Sequence, residues 1–300
     1  MITTEVKNRI IEAMHASRKN YSSNAKFATS IGINAAQLTR VFKGELNGVL
    51  SDPKWLTIAR RLDVHIGNTA EMVTAATPVY KYINGQLATC QQFSLSGMLC
   101  DDADIGKTYA AKCFVKTAKN AVYVDCSQVK TKQKLVRHIA KELGLTHSGR
   151  YQDIYEDVVY YLCSISYPLI ILDEAGDLDY GAWLELKALW NATERLCGWY
   201  MMGADGLKDK IERNMGRKKV GYVEIFSRYG GKYEKDGRIK LQKVTPDGGE
   251  EKKKFIRQQV SMIAKANGLD NVQQIYAQTG GSLRRIYTEI QKRKAQEAKA

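Results

Sequence analysis

The chain has 300 residues, an apolar fraction of 44%, and 46 Lys and Arg against 32 Asp and Glu, for a formal charge of +14. That is enough to bury a core in two or three domains, and the charge suits a polyanionic partner; residues 1–75 carry +4, 76–205 carry −2 and 206–300 carry +12. No stretch approaches about 18 uncharged apolar residues, the start lacks a signal pattern, and the six cysteines have no C-x-x-C pair, which excludes a membrane span, a secretory leader and a zinc site and predicts a cytoplasmic protein with buried thiols.

Residues 1–75 contain no convincing strand pattern and predict a small all-helical unit. Val6, Ile10, Ile11 and Met14 form one helical stripe over 4–18, and Phe27, Ala28 and Ile31 follow after an Asn/Ser-rich break. From Phe27 to Phe42 the pattern resembles a helix-turn-helix: small Ala28 where two helices cross, Gly32 at the turn, Leu38 and Val41 buried on the second helix, and Asn34 as its cap. The resemblance implies that Gln37, Thr39, Arg40 and Lys43 face double-stranded DNA. The segment Trp55 to Val64 is similar to the closing helix of phage-repressor-like domains, and Pro78 sits in an expected linker, Thr-Ala-Ala-Thr-Pro.

From about residue 80 strands and helices alternate. Strands are predicted at 93–100, 121–126, 168–173, 199–204 and 238–244, with helices at 107–118, 131–143, 151–163, 181–196 and 207–216. This order predicts an α/β domain over 76–245, a parallel sheet covered on both faces. A Pro-Asp-Gly-Gly turn at 246–249 then opens a helical lid over 246–300 with Phe255, Ile256, Val260 and Ile263 as its apolar stripe, ending in a charged tail, 291–300, expected to fray.

Two motifs carry chemistry. Gly106-Lys107-Thr108 lies between a strand and a helix, where loop N–H groups and a helix start bind phosphate, Lys reaches the terminal phosphates and Thr holds Mg²⁺. The nucleotide-binding residues are read as Asp101, Asp104, Ile105, Gly106, Lys107, Thr108 and Tyr109. Asp101 and Asp104 replace glycines of the usual pattern. Asp tolerates a left-handed backbone, but a carboxylate aimed at a triphosphate repels it unless it turns outward or meets Mg²⁺. Further on, Pro168 to Glu174 is an apolar strand ending in two acids; Asp173 is read as an Mg²⁺ ligand with Thr108, and Glu174 as the group that polarises the attacking water.

With these motifs in this order, residues 80–300 resemble an AAA+ module, on the branch that includes the phage Mu B transposition ATPase and related transposon target-selection ATPases. The resemblance implies ATP and Mg²⁺ as cofactors and ATP hydrolysis. It makes Arg228, in Ile225-Phe-Ser-Arg228-Tyr, the arginine finger toward a neighbouring subunit, and Arg284, with Arg285 as alternative, the second sensor of Gly280-Gly-Ser-Leu-Arg-Arg. Asp205, after the strand at 199–204, is the candidate first sensor. It also implies a homo-oligomer, ring or helical filament, with a transposase as partner, in a bacterial host and encoded by a phage or mobile element. Basic runs at 213–219 and 252–254 add Arg217 and Lys218 as contacts to the DNA backbone. The alternatives are a helicase loader or replication-initiation ATPase, or a repressor-like DNA-binding protein whose phosphate loop has become structural.

Overall fold

The computed structural model describes residues 2–64 and 72–297. Four helices come first: α1 (Thr4–Arg18), α2 (Asn24–Ile31), α3 (Ala35–Phe42) and α4 (Asp52–Arg61). Local chemistry sets their ends. Thr3 and Ser23 accept from the backbone N–H of Val6 and Lys26, Gly32 closes α2 at φ 77°, and Asn34 and Gln37 form a reciprocal capping box on α3. Ile10, Met14, Phe27, Ala28, Leu38, Val41, Trp55 and Ile58 share one buried cluster. The closing helix begins earlier than the apolar pattern predicts, because Pro53 is compatible with a helix's first turn, and it ends at Arg61 rather than Val64.

The expected linker proline is instead the first residue of α5 (Pro78–Phe93), where Thr77 caps by accepting from Tyr80 N–H and a missing N–H costs nothing. Then follow β1 (Ser96–Cys100), α6 (Lys107–Thr117), β2 (Ala121–Asp125), α7 (Lys132–Glu142), α8 (Tyr151–Ser164), β3 (Leu169–Asp173), α9 (Tyr180–Ala192), β4 (Gly198–Gly203), α10 (Asp205–Gly216) and α11 (Tyr222–Arg228). The sheet runs β1-β4-β3-β2, parallel throughout, with every residue of β3 and β4 buried. Its two faces pack into separate clusters, one against α7, α8 and α9 and the other against α5 and α6. This is the expected α/β architecture.

The expected fifth strand is mostly absent. Ile239–Lys240 (β6) pairs antiparallel with Lys232–Tyr233 (β5) in a hairpin, and only a single parallel bridge, Leu99 to Gln242, joins the segment to β1. Pairing stops there because the next N–H groups, of Val244 and Thr245, donate to the Asp101 carboxylate, at 2.7 and 3.0 Å, and Pro246 follows.

A third unit holds α12 (Gly249–Ala266), α13 (Val272–Thr279) and α14 (Leu283–Glu297) around Val260, Ile263, Ile275, Ile286 and Ile290. Residues 291–297 continue α14 rather than fraying; 298–300, the end of the expected tail, lie outside the described residues. The amino-terminal helices lie directly on the α/β domain. Asn20 donates to the Val115 carbonyl at 3.2 Å, and a Cβ on Gly144, at φ 73°, would sit 2.2 Å from the Lys26 carbonyl oxygen, so only glycine permits that approach.

Candidate functional site

β1 and β3 are separated in the sheet only by β4, so the loop after β1 and the acids after β3 emerge side by side at its carboxyl edge. Thr108 Oγ1 donates to Asp173 Oδ2 at 2.6 Å, joining the two motifs directly across 65 residues. Tyr123 of β2 donates to the same oxygen at 2.8 Å, and Glu174 N–H donates to Oδ1 at 3.0 Å, so the Asp173 carboxylate, 1% exposed, is held on both oxygens. A hydroxyl and a carboxylate oxygen in contact are hard donors of the kind Mg²⁺ takes, so these residues fit the ion.

Glu174 sits at φ 50° with its side chain exposed beyond the strand end. Partial desolvation of the carboxyl by the atoms around the strand end, then the Asp173 charge, raises it above the ordinary value, with Lys107 partly opposing. Such a shift moves a carboxylate toward the range useful for a general base.

In the loop, Asp104 adopts φ 62° and Gly106 φ 95°, and α6 begins at Lys107. The first N–H groups of α6 have no acceptor within the helix, which suits them to phosphate. Lys107 is 6% exposed, and its Nζ donates to the carbonyls of Asp101 and Asp102 at 2.8 and 2.6 Å. Desolvation lowers its pKa, against the raising influence of Asp101, Glu174 and Asp173. Ile105 is buried in the cluster beneath α5 and α6, so it anchors the loop through its side chain. Tyr109 shares a 2.5 Å hydroxyl contact with Thr74, in the segment that enters α5, and Asn267 of the third unit exchanges two hydrogen bonds with the neighbouring Val73 backbone.

The carboxylates of the loop aspartates are all engaged by the chain itself. An uncompensated carboxylate about 4 Å from a phosphate charge would cost roughly 4 kcal/mol at an effective dielectric near 20, so their partners matter. Asp101 is fully buried and accepts from the N–H groups of Asp102, Val244 and Thr245. Asp102, which the sequence reading passed over, pairs with Lys252 and, at 3.5 Å, with Lys243; burial opposes ionisation, but the two lysines outweigh it and hold its carboxyl below the ordinary value. Asp104 accepts from the Ser282 hydroxyl and from Arg284 N–H at 3.1 Å. Both carboxylates bind the chain's own carboxyl-terminal segments, which leaves the loop backbone as the part of Asp101 and Asp104 that can meet a nucleotide.

The structure brings Arg284 to the loop and leaves Arg228 away from it. Arg284 Nε is 3.7 Å from Asp104 Oδ1 with its side chain 85% exposed, while Arg285 N–H donates to Ser282 Oγ. Arg228 stacks on Trp190, whose Nε1 bonds Ser96 at the start of β1, so it lies at the opposite edge of the sheet from its own loop. Asp205 is an exposed acid in the first turn of α10, with no hydrogen bond to the loop or to Asp173 among the described residues.

In the amino-terminal unit, Gln37 closes the capping box and Arg40, itself exposed, pairs with the exposed Glu45 at 2.8 Å; Thr39 donates to the Ala35 carbonyl, and Lys43 is exposed. Arg217 and Lys218 are exposed at the end of α10, Lys218 at φ 52°. Tyr123 and Lys243 escaped sequence reading, and Ser282 and Lys252 entered it only within the second-sensor motif and a basic run. Tyr123 alone had a signal, since β2 registers Asp125 against Asp173 and residue 123 lies two positions back on the same face.

Residues 94–211 match the AAA domain family. The chain is also 24% identical to the Mu-like prophage FluMu DNA transposition protein B of Haemophilus influenzae, over 87% of this chain and 93% of that protein. No helix among the described residues is long and apolar enough to cross a membrane. The parallel sheet, the loop bonded to its acidic strand end and the family match make residues 94–211 an AAA domain, in a chain similar to the Mu-like transposition protein B.

Proposed function

We propose that this chain binds and hydrolyses ATP with Mg²⁺, assembles on double-stranded DNA as a homo-oligomer, and acts in DNA transposition by capturing target DNA and activating a transposase. The observation that carries the nucleotide reading is the Thr108 to Asp173 hydrogen bond, which unites the phosphate loop and the acidic strand end in one place. Thr108 and Asp173 would hold Mg²⁺, which supplies charge neutralisation at the phosphates. Lys107 and the α6 N-terminus bind the phosphates, Glu174 takes the proton of the attacking water, and Arg284 approaches from the third unit. Arg228 acts in trans, toward a neighbouring subunit's nucleotide. The basic carboxyl-terminal third, with Arg217 and Lys218, and the amino-terminal helices, with Lys43 exposed, supply DNA contacts that weaken with salt.

The test combines nucleotide titration with imaging of DNA complexes. Wild type binds ATP and forms oligomers on DNA only with it, while Lys107→Ala loses nucleotide binding. Arg228→Ala keeps nucleotide binding, loses turnover, and recovers part of it when mixed with Lys107→Ala protein. DNA binding that ignores ATP and never yields oligomers rejects the assembly, and stimulation of a replicative helicase instead of a transposase rejects the transposition role. One observation favours a second reading: the Lys107 ammonium already bonds two carbonyls of its own loop, as a purely structural loop would have it. A wild type unable to bind ATP selects that repressor-like reading.

A further inference from the structure

The phosphate loop carries three carboxylates, and each is taken by a different part of the carboxyl-terminal third. Asp101 holds the N–H groups of Val244 and Thr245; Asp102 holds Lys243 and, in α12, Lys252; Asp104 holds the Ser282 hydroxyl and the Arg284 N–H, at the start of α14. Leu283 also lies against the loop, 3.5 Å from where a Cβ on Gly106 would stand. The bond from Arg284 N–H to Asp104 is that of a helix cap, a carboxylate accepting at an N-terminus, except that the cap comes from 180 residues away.

We propose that Asp101, Asp102 and Asp104 are positioning residues that latch the carboxyl-terminal helical unit onto the phosphate loop, with Asp104 setting α14 and Arg284 beside the nucleotide. The inference rests on the nucleotide reading above. Neutral residues at these positions would leave the loop compatible with phosphate, but α14 would then keep only the apolar contact of Leu283 against it. The carboxylates exchange a repulsion toward phosphate for a fixed second unit, and their charge is spent on N–H dipoles and cations of the chain itself. Docking of α14 and nucleotide affinity are then linked: whatever loosens one weakens the other by the same factor.

The sign of one substitution separates this from simple repulsion. A carboxylate that merely repels phosphate gives tighter binding when removed; a latch gives weaker binding. Calorimetric titration of the full chain with MgATP should show Asp104→Ala weakening affinity about tenfold, within the usual range for coupled sites. Arg284→Ala should give a similar loss, and the double variant no more than either, because Asp104 acts on the nucleotide through where it places the Arg284 side chain. Asp104→Asn, which keeps an acceptor for the Arg284 N–H, should retain most of the affinity. Without nucleotide, hydrogen exchange over 283–287 should quicken in Asp104→Ala and remain near wild type in Asp104→Asn. Tighter MgATP binding by Asp104→Ala, additive losses in the double variant, or unchanged exchange overturns the proposal. If wild type fails to bind MgATP while exchange still responds to Asp104→Ala, the nucleotide reading falls and the latch stands.

Discussion

Two groups of carboxylates stand at the carboxyl edge of one sheet, and their surroundings differ in kind. The strand-end pair is set among hydroxyls: Asp173 receives Thr108 and Tyr123, and Glu174 extends past it, exposed. The loop trio is set among backbone N–H groups, lysines and the Ser282 hydroxyl from the last third of the chain. Hydroxyls at a strand end can give way to a metal ion, and an exposed carboxylate can take a proton; carboxylates that each hold two groups of another segment stay engaged. The same side chain thus supplies chemistry in one cluster and architecture in the other.

The largest test of that contrast lies in the strand-end pair. Glu174→Gln should keep ATP binding and slow hydrolysis about 10²- to 10⁴-fold, the usual scale for losing a positioned base. An unchanged single-turnover rate removes Glu174 from the reaction. In the loop, Asp101→Ala should act on stability first. It strands the buried N–H groups around Thr245 and should cost roughly 3 kcal/mol, read as a lower denaturation midpoint. A variant as stable as wild type would mean that those groups find other acceptors.

pH distinguishes the clusters further. Because the Glu174 carboxyl is raised, by partial desolvation and then by Asp173, turnover should fall on acidification at a higher pH than an ordinary glutamate would give. The stability effect has the opposite sign: the folded state holds this proton more tightly than the unfolded chain, so stability from this group falls as pH rises from the ordinary to the raised value. Asp102, depressed below its ordinary value because its lysines outweigh burial, contributes stability that is present above the ordinary value and lost as pH falls toward the depressed one. A pH–rate profile that keeps its acid limb in Glu174→Gln assigns that limb elsewhere. The smallest effect belongs to Tyr123→Phe, which removes one of two hydroxyls from Asp173 and should lower turnover a few-fold, about 1 kcal/mol.

Much of this was legible in the chain itself. The apolar run of Leu169 to Leu172, short, branched and bounded by Pro168 and two acids, reads as a buried strand, and the structure buries it completely. The Asn34 cap and the turn at Gly32 are three-residue matters of hydrogen bonding and φ. Helix α5 was hidden by Pro78, which reads as a linker mark although Val79, Ile83, Leu87 and Cys90 repeat at helical spacing behind it. The fifth strand failed for a reason no local pattern contains: a carboxylate 143 residues away takes its N–H groups.

By itself, the sequence determined the periodic elements, the order of the strands' chemistry and the residue types at the loop and strand end, because these depend on neighbours within a few positions. Only the tertiary structure decided where each carboxylate points. Asp101, Asp104, Asp173 and Glu174 are all carboxylates and close in space, and their roles separate only through partners brought from β2, α6, the Val244–Thr245 segment and the start of α14, contacts that span from 50 to 180 residues of chain.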